Sequence, residues 1–372
     1  MKVALVSEYF PMSPGREMRG GVEARTYFVS RHLAKRHDVK VYSIMEDGMS
    51  EESEFEGMRV ARVKPEVSYS QSSSLDKRLM FMRNAAKEIR KGGYDLVDGC
   101  SVTGYPPAWW SKCRGRVITY HDLWTGRWIQ NMGWKGLFGE VLERYVLSRN
   151  WDHITAVSQY TKDNLVDYGI DADRITVAHN GIDLEEYKSV NSEKYDSPTV
   201  CAVARMVKYK RLEDLIRAHS LVREEVEDAR VRIIGTGPER ERLESLSESL
   251  GVSDSVEFIG YVREHAEVLK TIKSSHCLCL PSAVEGFGIT VVEAMALDVP
   301  YVASDIPAVR EATRGGAGGS LYKLGDVEEL AEKLKAALNG EVRGGVKFIE
   351  EYDWSRTAEK VEDVYERVVE RS

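Results

Sequence analysis

A Gly-Phe-Gly turn lies between two glutamates in the last third of the chain. Glu285 precedes the turn, and Glu293 follows it in the helical pattern "ITVVEAMALD". Glycine permits a sharp turn, and the first amides of a helix suit a phosphate because they lack intrahelical partners. Eight residues of helix make two full turns and about 80° more, so we expect both carboxylates to face one site. There Glu293 would accept hydrogen bonds from sugar hydroxyls. The alternative is a solvated turn glutamate and a helical ion pair.

A cluster of cations follows the strand pattern "TVCAV". The segment "ARMVKYKR" places Arg205, Lys208, Lys210 and Arg211 between this strand and the next helix. Cations at the carboxyl end of a strand can neutralise a diphosphate, and arginine can bind its oxygens in bidentate fashion. The alternative is a basic turn in contact with solvent.

Two further glycine turns and one histidine follow predicted strands. Gly235 and Gly237 lie in "IIGTGPER", and Gly20 and Gly21 open a helix after the first strand, where amides can approach an anion. A single G-x-G turn is a weak signal, since most such turns are only turns. His121 ends the strand "VITYH" and is a candidate for contacting a substrate; a structural histidine is the alternative.

The elements that must position these residues form a repeating pattern. Short apolar runs alternate with longer helical patterns, and this βαβ rhythm predicts parallel sheets with both faces covered. The polar stretch 188–198 interrupts the rhythm, so we interpret it as a linker between a domain of residues 1–187 and one of residues 199–352. Two α/β domains are expected to bind ligands in a cleft, outside the carboxyl ends of their strands.

Length and composition support this division. A chain of 372 residues exceeds the usual size of one core. The net charge of −8 argues against a nucleic-acid-binding protein. The five cysteines lack zinc-finger spacing and are interpreted as reduced core thiols of a cytoplasmic protein. We recognise neither a signal peptide nor a bilayer-spanning apolar run.

These motifs together resemble a known family. From "GGVE" through "AVS", "NGID", "GTGPE" and "EGFGI...EAMA", the sequence resembles the retaining glycosyltransferases of family 4, also called group 1. The pattern from Glu285 to Glu293 is its most specific part. The resemblance implies the GT-B fold: an α/β protein with two Rossmann-like domains whose parallel sheets face a central cleft. It also implies that the final helix, residues 353–372, packs back on the first domain.

The resemblance also implies roles for individual residues. The second domain would hold a nucleotide-sugar donor, with UDP or GDP as the nucleotide. Arg205 and Lys210 would bind the diphosphate, although Lys208 is an alternative to Lys210. Glu285 would lie near the hydroxyls of the donor sugar, Glu293 would bind the ribose, and His121 would contact the sugar near the reacting carbon. The remaining implied contacts to the nucleotide sugar or acceptor come from Gly20, Gly21, Gly235, Gly237, Gly286, Phe287, Gly288 and Ile289.

The expected chemistry asks for charge neutralisation more than for a protein nucleophile. Negative charge grows on the diphosphate as the bond to the anomeric carbon breaks, and preorganised cations and amides stabilise it. Members of the family retain the anomeric configuration, and we favour front-face attack in which the departing phosphate takes the acceptor's proton. No cofactor and no metal are expected, in keeping with the absence of a suitably placed DxD motif.

The acceptor is less well defined by the sequence. Five tryptophans fall between residues 109 and 134. They could meet an anionic membrane surface, form the wall of a sugar-acceptor site, or pack as core or dimer contacts. The basic stretch 30–37 could add to a membrane-facing patch or be an ordinary solvated face. A glycan or a lipid-linked acceptor therefore stays open, with peripheral attachment to the inner face of the cell membrane as one alternative.

Other functions on the same fold are less consistent with the residues. An epimerase would need an acidic and histidine cluster around the sugar, and a phosphorylase would need a cofactor lysine; neither pattern is recognised. A binding protein without catalysis would be expected to lose Arg205, Lys210 or Glu285, and all three are present. A transferase with a soluble acceptor, of the sucrose- or trehalose-synthase type, is a further alternative.

Overall fold

The chain forms two compact α/β units. The computed structural model describes residues 1–13, 18, 20–68 and 74–371. Unit 1 comprises Met1–Asn180 and Trp354–Ser372, and unit 2 comprises Gly181–Asp353. No helix among the described residues is both long and apolar enough to cross a lipid bilayer.

Unit 1 contains eight strands and seven α-helices among its described residues. The strands are β1 Lys2–Val6, β2 Asp38–Glu46, β3 Glu52–Phe55, β4 Met58–Val67, β5 Leu96–Gly99, β6 Gly115–Tyr120, β7 His153–Ala156 and β8 Ile175–Val177. The helices are α1 Gly21–Leu33, α2 Leu75–Gly92, α3 Tyr105–Trp110, α4 Trp128–Met132, α5 Gly136–Leu147, α6 Gln159–Asp167 and the C-terminal helix Trp354–Arg371.

The sheet of unit 1 has the order β3-β4-β2-β1-β5-β6-β7-β8. Every strand pair is parallel except β3–β4, a hairpin whose turn residues Glu56 and Gly57 both have positive φ, as a two-residue hairpin turn requires. The strand order reverses between β1 and β5. A reversal opens a crevice at the carboxyl edge, where such sheets bind ligands. The hairpin was not predicted from the sequence.

Helices cover both faces of this sheet. Crossovers between parallel strands are right-handed as a rule, so helices that follow the chain in opposite directions from the reversal point are expected on opposite faces. Residues of α2, α3 and α5 share one core cluster, whereas α1 packs with the C-terminal helix. Phe81, Met82, Ala85 and Ile89 of α2 are buried in the core of the second face. Each fully buried large apolar side chain contributes about 1.5–3 kcal/mol relative to exposure.

The C-terminal helix packs against α1. Trp354 stacks on Phe28, with ring centroids 5.3 Å apart. Farther along the helix, the Tyr365 hydroxyl donates a hydrogen bond of 2.6 Å to Asp98, which also accepts one from Thr119. Burial raises the pKa of Asp98 to about 6, although these hydrogen bonds and the charge of Arg25 oppose the shift. The last helix is thus held to unit 1 by both apolar packing and a buried polar contact.

Unit 2 has a second parallel sheet with the order β11-β10-β9-β12-β13-β14. Its strands are β9 Thr199–Val203, β10 Arg230–Ile234, β11 Val256–Gly260, β12 Cys277–Leu280, β13 Tyr301–Ser304 and β14 Gly319–Tyr322. Its α-helices are α7 Leu184–Ser189, α8 Leu212–Arg223, α9 Arg240–Ser249, α10 His265–Ser274, α11 Ile289–Ala296, α12 Pro307–Ala312 and α13 Val327–Leu338. The strand order reverses between β9 and β12, which are paired neighbours.

The boundary between the units differs from the predicted one. It lies between Asn180 and Gly181 rather than after residue 187. The stretch 188–198, interpreted above as a linker, belongs to unit 2: the Tyr195 amide donates to the Ser274 carbonyl over 3.0 Å, and the guanidinium of Arg232 lies over the Tyr195 ring. Composition could not reveal this attachment because it depends on backbone groups and a distant arginine.

Candidate functional site

The predicted donor-binding residues lie at the strand-order reversal of unit 2. The loop after β9 carries Arg205 and Lys210, and the loop after β12 carries Glu285. Because β9 and β12 are parallel neighbours, their carboxyl ends meet at one edge of the sheet. A backbone hydrogen bond of 2.8 Å from the Ala283 amide to the Tyr209 carbonyl joins the two loops.

Lys210 and Glu285 form an ion pair at this edge. The Nζ of Lys210 lies 2.6 Å from Oε1 of Glu285, and the two side chains are only 16% and 13% exposed. An ammonium has three donors, so Lys210 can bind a second anion while it holds Glu285. Lys208, the alternative phosphate ligand, is exposed at the start of the 3₁₀ turn Lys208–Lys210. Lys210, and not Lys208, is therefore the lysine that pairs with the Glu285 carboxylate.

Arg205 lies on the same loop in a different environment. Its side chain is exposed, and it makes no hydrogen bond or ion pair with a residue that the structure describes. Neighbouring Met206 is buried and anchors the loop. Arg205 thus has a charged group in solvent on a fixed backbone, which suits a ligand that brings its own negative charge.

Gly235 and Gly237 support this loop from β10. A Cβ on Gly235 would lie 2.1 Å from the Ala204 carbonyl oxygen, and one on Gly237 would lie 2.2 Å from that of Met206. These glycines therefore allow the turn after β10 to pack directly against the backbone on either side of Arg205. Such packing accounts for both glycines without a ligand, so their assignment to nucleotide binding stays a prediction.

The Gly-Phe-Gly turn leads directly into α11. Gly288 has a φ of +87°, a left-handed conformation that favours glycine, and α11 begins at Ile289. The Phe287 ring is buried and packs edge-on against Tyr352, with centroids 5.4 Å apart. The turn is fixed by the buried ring, so the first amides of α11 have a defined direction at the carboxyl edge of β12, as an anion site requires.

The helical argument that placed Glu285 and Glu293 on one side of a site was wrong. Helix α11 begins four residues after Glu285, so helical spacing does not relate the two carboxylates. Glu293 is buried, and its Oε1 accepts from the Tyr187 hydroxyl at 3.0 Å and lies 3.5 Å from Nε2 of His265. Within the described chain, Oε2 of Glu293 has no such partner and can accept a hydrogen bond from a ligand.

His265 links Glu293 to Glu186. Its Nδ1 lies 3.4 Å from Oε1 of Glu186, on the side opposite Glu293. Burial lowers the pKa of His265, but the hydrogen bonds and charges of the two glutamates outweigh burial and raise that pKa to about 10. His265 is therefore an imidazolium at neutral pH, and it holds the Glu293 carboxylate in place.

We predict that His265 makes the free energy of unfolding decrease as the pH becomes alkaline. The folded-state pKa of about 10 lies above the ordinary value of 6.5, so the stabilisation is complete below pH 6.5 and is lost as the pH rises to 10. The free energy of unfolding should fall by at most about 1.4 kcal/mol per pH unit in this window. Urea unfolding between pH 6 and 10 would measure it. The His265→Gln variant should lack this slope; equal slopes would contradict the assignment.

The glycines at the start of α1 differ from Gly235 and Gly237 because no neighbouring atom would crowd a Cβ there. A Cβ on Gly20 or Gly21 would meet no atom within 4 Å, and neither residue has a left-handed φ. Their own conformations and neighbours therefore do not require glycine, which is consistent with close approach of a ligand. One turn later, buried Arg25 donates to the Ala178 carbonyl at 2.7 Å and to the Asn180 side chain at 3.1 Å.

His121 begins the segment after β6 and is held by a backbone carbonyl. Its Nε2 lies 3.1 Å from the Cys100 oxygen. Burial lowers the pKa of His121 to about 3, and the charge of Arg25 adds to the shift. The imidazole is thus neutral at physiological pH. Because a carbonyl can only accept, Nε2 carries the proton, and Nδ1 is left as an acceptor.

A buried carboxylate fixes the segment that follows His121. Glu143 of α5 accepts four hydrogen bonds, all with donors in or beside this segment. The donors are the Tyr120 hydroxyl (2.8 Å), the Trp124 amide (3.2 Å), the Thr125 hydroxyl (2.8 Å) and the Trp128 indole (2.8 Å). Two of them lie on each oxygen, so Glu143 holds the segment between β6 and α4 against α5.

Most of the tryptophan-rich stretch is packed within unit 1. Trp109 contacts Trp151 edge-on, the Trp110 indole donates to the Tyr145 hydroxyl, and Trp124 lies against Trp128. Trp134 differs because it is 82% exposed. Of the three alternatives considered for these tryptophans, packing within the protein therefore fits four of the five.

The basic stretch 30–37 is largely engaged in contacts within the unit. Arg31 lies 3.1 Å from Glu56, and Arg36 and His37 both contact Glu362 of the C-terminal helix. The proposed contribution of this stretch to a membrane-facing patch is therefore not supported by its surroundings.

Two Rossmann-like units, each with a mostly parallel sheet whose strand order reverses, are the architecture of the GT-B glycosyltransferases. The family comparisons agree. Residues 19–186 match the model of Glycosyltransferase Family 4, and residues 183–361 match that of Glycosyl transferases group 1. The chain belongs to this family of GT-B glycosyltransferases, which confirms the predicted family and fold class.

The chain is similar to several named glycosyltransferases. The phosphatidyl-myo-inositol mannosyltransferase of Mycobacterium leprae is 36% identical over 166 residues, which are 43% of this chain and 43% of that protein. The first curated relatives are matched over 41% to 54% of their length, so the matched region is about half of each.

Solved structures show the same fold at low identity. Sucrose-phosphate synthase from Thermosynechococcus elongatus superposes with a TM-score of 0.81 at 18% identity, and both chains are covered in full, at 100%. HepE from Anabaena in complex with UDP-glucose superposes with a TM-score of 0.70 at 15% identity, covering 99% of this chain and 100% of that one.

Sequence reasoning missed the groups that hold the predicted residues in place. Tyr187, His265 and Glu143 stand in no recognisable motif, and their partners are distant in the chain. Arg25 could have been noticed, since it follows Gly21 by four residues, about one helical turn, and so lies beside the glycine loop.

Proposed function

We propose that this protein is a retaining glycosyltransferase that moves a hexose-type sugar from UDP-sugar to a hydroxyl of a lipid-linked acceptor without a metal. GDP-sugar is the alternative donor. The observation that carries the proposal is the Lys210–Glu285 ion pair beside the exposed Arg205, at the strand-order reversal of unit 2. The pair offers a cation for a diphosphate and, next to it, a carboxylate for sugar hydroxyls.

Each part of the donor has a matching group in unit 2. The diphosphate would accept hydrogen bonds from Arg205, Lys210 and the first amides of α11. The ribose would donate to Oε2 of Glu293, whose other oxygen already bonds Tyr187. The sugar would donate to Glu285, which Lys210 orients. In unit 1, Nδ1 of the neutral His121 imidazole would accept a hydrogen bond from a substrate hydroxyl.

The reaction needs charge stabilisation at the leaving group. The bond between the anomeric carbon and the phosphate oxygen breaks, and both electrons leave with the nucleoside diphosphate. Arg205 and Lys210 would neutralise the growing charge. The acceptor oxygen forms its bond on the same face of the sugar, and its proton passes to the departing phosphate oxygen. In this series of steps the anomeric configuration is retained, and no covalent enzyme intermediate forms.

A lipid-linked acceptor is supported by the named relatives. The mycobacterial relative is a phosphatidyl-myo-inositol mannosyltransferase, and a further relative is a lipopolysaccharide 1,6-galactosyltransferase from Salmonella typhimurium. Both names describe acceptors with a lipid part, so we place this protein in glycolipid or polysaccharide biosynthesis. The sucrose-phosphate synthase neighbour, at 18% identity, shares the fold and carries no argument about the acceptor.

Calorimetric titration with UDP, GDP and ADP in the presence of EDTA tests the donor site. We expect UDP to bind without a metal. Lys210→Ala should weaken binding by about 10- to 100-fold, the loss of one charge-assisted hydrogen bond. Lys208→Ala is the matched control on the same turn, and it should bind UDP as the wild type does.

Three outcomes would contradict the donor assignment. Binding of none of the three nucleotides would overturn the proposed nucleotide site, and binding only after a divalent cation is added would overturn metal independence. A larger loss for Lys208→Ala than for Lys210→Ala would show that the exposed lysine, and not the partner of Glu285, contacts the diphosphate.

A further inference from the structure

A cavity lies at the amino edge of the sheet of unit 1, beside the C-terminal helix. We name it the amino-edge cavity, because its lining residues Arg114 and Asp152 directly precede the parallel strands β6 and β7, and Asp173 precedes β8 by two positions. Its volume is about 470 Å³, within the usual range for sites of small molecules. Val368 is the one apolar side chain among the described residues that line it, so the cavity suits a polar ligand.

The C-terminal helix approaches β6 closely at this cavity. A Cβ on Gly115 would lie only 2.5 Å from Cγ1 of Val368, so a glycine here lets the helix lie directly on the first residue of β6. Nη2 of Arg114 donates a hydrogen bond of 3.2 Å to the Val369 carbonyl. This contact fixes Arg114 beside the last turn of the helix and leaves most of the five guanidinium N–H donors for a ligand.

Three arginines meet at the amino-edge cavity. Arg367 and Arg371 stand four residues apart on the C-terminal helix, a spacing that places them on one side of it, and both line the cavity together with Arg114. Neither Arg367 nor Arg371 forms a hydrogen bond or an ion pair with another residue of the described chain. Like charges at this spacing repel one another, so an anion between these side chains would stabilise the arrangement.

His153 reports the sign of the electrostatic potential in the cavity. Burial lowers the pKa of this histidine to about 4, and four positive charges add to the shift. They belong to Arg367, Arg371, Arg174 and Lys162. No carboxylate is among these main contributors, although two aspartates line the same cavity. The potential at His153 is therefore positive, as a site for an anion requires.

The lining groups define the class of anion. Arginine binds phosphate oxygens in bidentate fashion, and a phosphate monoester carries a charge of about −1.5 to −2 at pH 7. Asp152 already accepts a hydrogen bond of 2.8 Å from the Arg116 amide. The exposed carboxylate of Asp173 and the hydroxyl of Thr176 line the same cavity and can accept hydrogen bonds from ligand hydroxyls. A sugar or polyol phosphate supplies both the anion and the hydroxyls.

We propose that the amino-edge cavity binds a small soluble sugar or polyol phosphate. This site is separate from the candidate residues of unit 1, because His121 follows Arg114 by seven positions along β6, roughly 20 Å of strand, and lies at the opposite edge of the sheet. The predicted donor-binding residues belong to unit 2. The inference is therefore independent of the proposed function. A bound phosphate would hold the last turns of the C-terminal helix on the sheet of unit 1.

Calorimetric titration of the full chain with glucose 6-phosphate tests the proposal, with inorganic phosphate as the comparison. Wild type should bind glucose 6-phosphate more tightly than inorganic phosphate, because only the sugar phosphate offers hydroxyls on a sugar ring. The variant R367Q/R371Q should bind glucose 6-phosphate at least about tenfold more weakly, since each arginine supplies charge-assisted hydrogen bonds. Thermal unfolding gives a second readout: saturating glucose 6-phosphate should raise the Tm of the wild type but not that of R367Q/R371Q.

Two control variants locate the binding. R356Q/K360Q removes two exposed cations at the same spacing from the same helix, outside the cavity, and should bind glucose 6-phosphate as the wild type does. Lys210→Ala removes the phosphate ligand proposed for unit 2 and should also keep this binding.

Four results would overturn the proposal. They are no binding of glucose 6-phosphate, no preference for it over inorganic phosphate, loss of binding in Lys210→Ala, and equal binding by R367Q/R371Q and R356Q/K360Q. If R367Q/R371Q unfolds at a lower temperature and yet binds as the wild type does, the two arginines serve only the helix end, where cations interact favourably with the helix dipole.

Discussion

Replacing Arg205 by alanine is expected to reduce sugar transfer by about 100- to 1000-fold, the usual cost of removing one group that stabilises transition-state charge. The main loss should be in kcat, because charge on the diphosphate is largest as the bond breaks. Stability should change little, since the side chain is exposed and no described residue depends on it. Turnover of the nucleotide sugar selected by calorimetry would measure the effect, with thermal unfolding as the check on folding.

The control for this prediction lies on the next helix. Arg217 of α8 is also exposed in unit 2, and Arg217→Ala should keep wild-type turnover. Full activity of Arg205→Ala would refute the role assigned to this arginine. A Lys substitution at the same position offers a finer test, because it restores the charge without the bidentate geometry and should recover only part of the rate.

Replacing Glu143 by alanine is expected to lower the free energy of unfolding by about 3–5 kcal/mol. The substitution removes the acceptor of four hydrogen bonds and leaves the Tyr120 hydroxyl and the Trp128 indole without it. It should also release the segment that begins at His121, so turnover should fall even at temperatures where the variant stays folded. Urea unfolding, monitored by far-UV circular dichroism, would measure the change in the free energy of unfolding.

Glu140 provides the comparison on the same helix. It pairs with Arg144 and accepts from the Gly126 amide, nearer the surface than Glu143. Glu140→Ala should cost about 1 kcal/mol, as partly exposed pairs usually do. If the two alanine variants lose equal stability, Glu143 is not the anchor that its hydrogen bonds suggest.

The pattern from Glu285 to Glu293 indicated the family of the chain correctly, but the helical relation inferred between the two glutamates was wrong. Helical spacing failed because Glu285 precedes the helix, and each carboxylate has its own partner. Tyr187, which holds Glu293, lies 106 residues away in the chain. Such a contact depends on how α7 and α11 pack, which no local pattern encodes.

The sequence by itself determined the α/β class, the two-unit organisation and the loops that carry the candidate residues. These features are local: apolar runs mark buried strands, glycines mark turns, and the cations stand directly after β9. The tertiary structure decided which groups meet. It pairs Lys210 rather than Lys208 with Glu285, 75 residues away, and it packs four of the five tryptophans between residues 109 and 134 against neighbouring side chains of unit 1. The reason is that parallel strands bring loops distant in the chain to one edge, and burial follows from which helix faces the sheet covers.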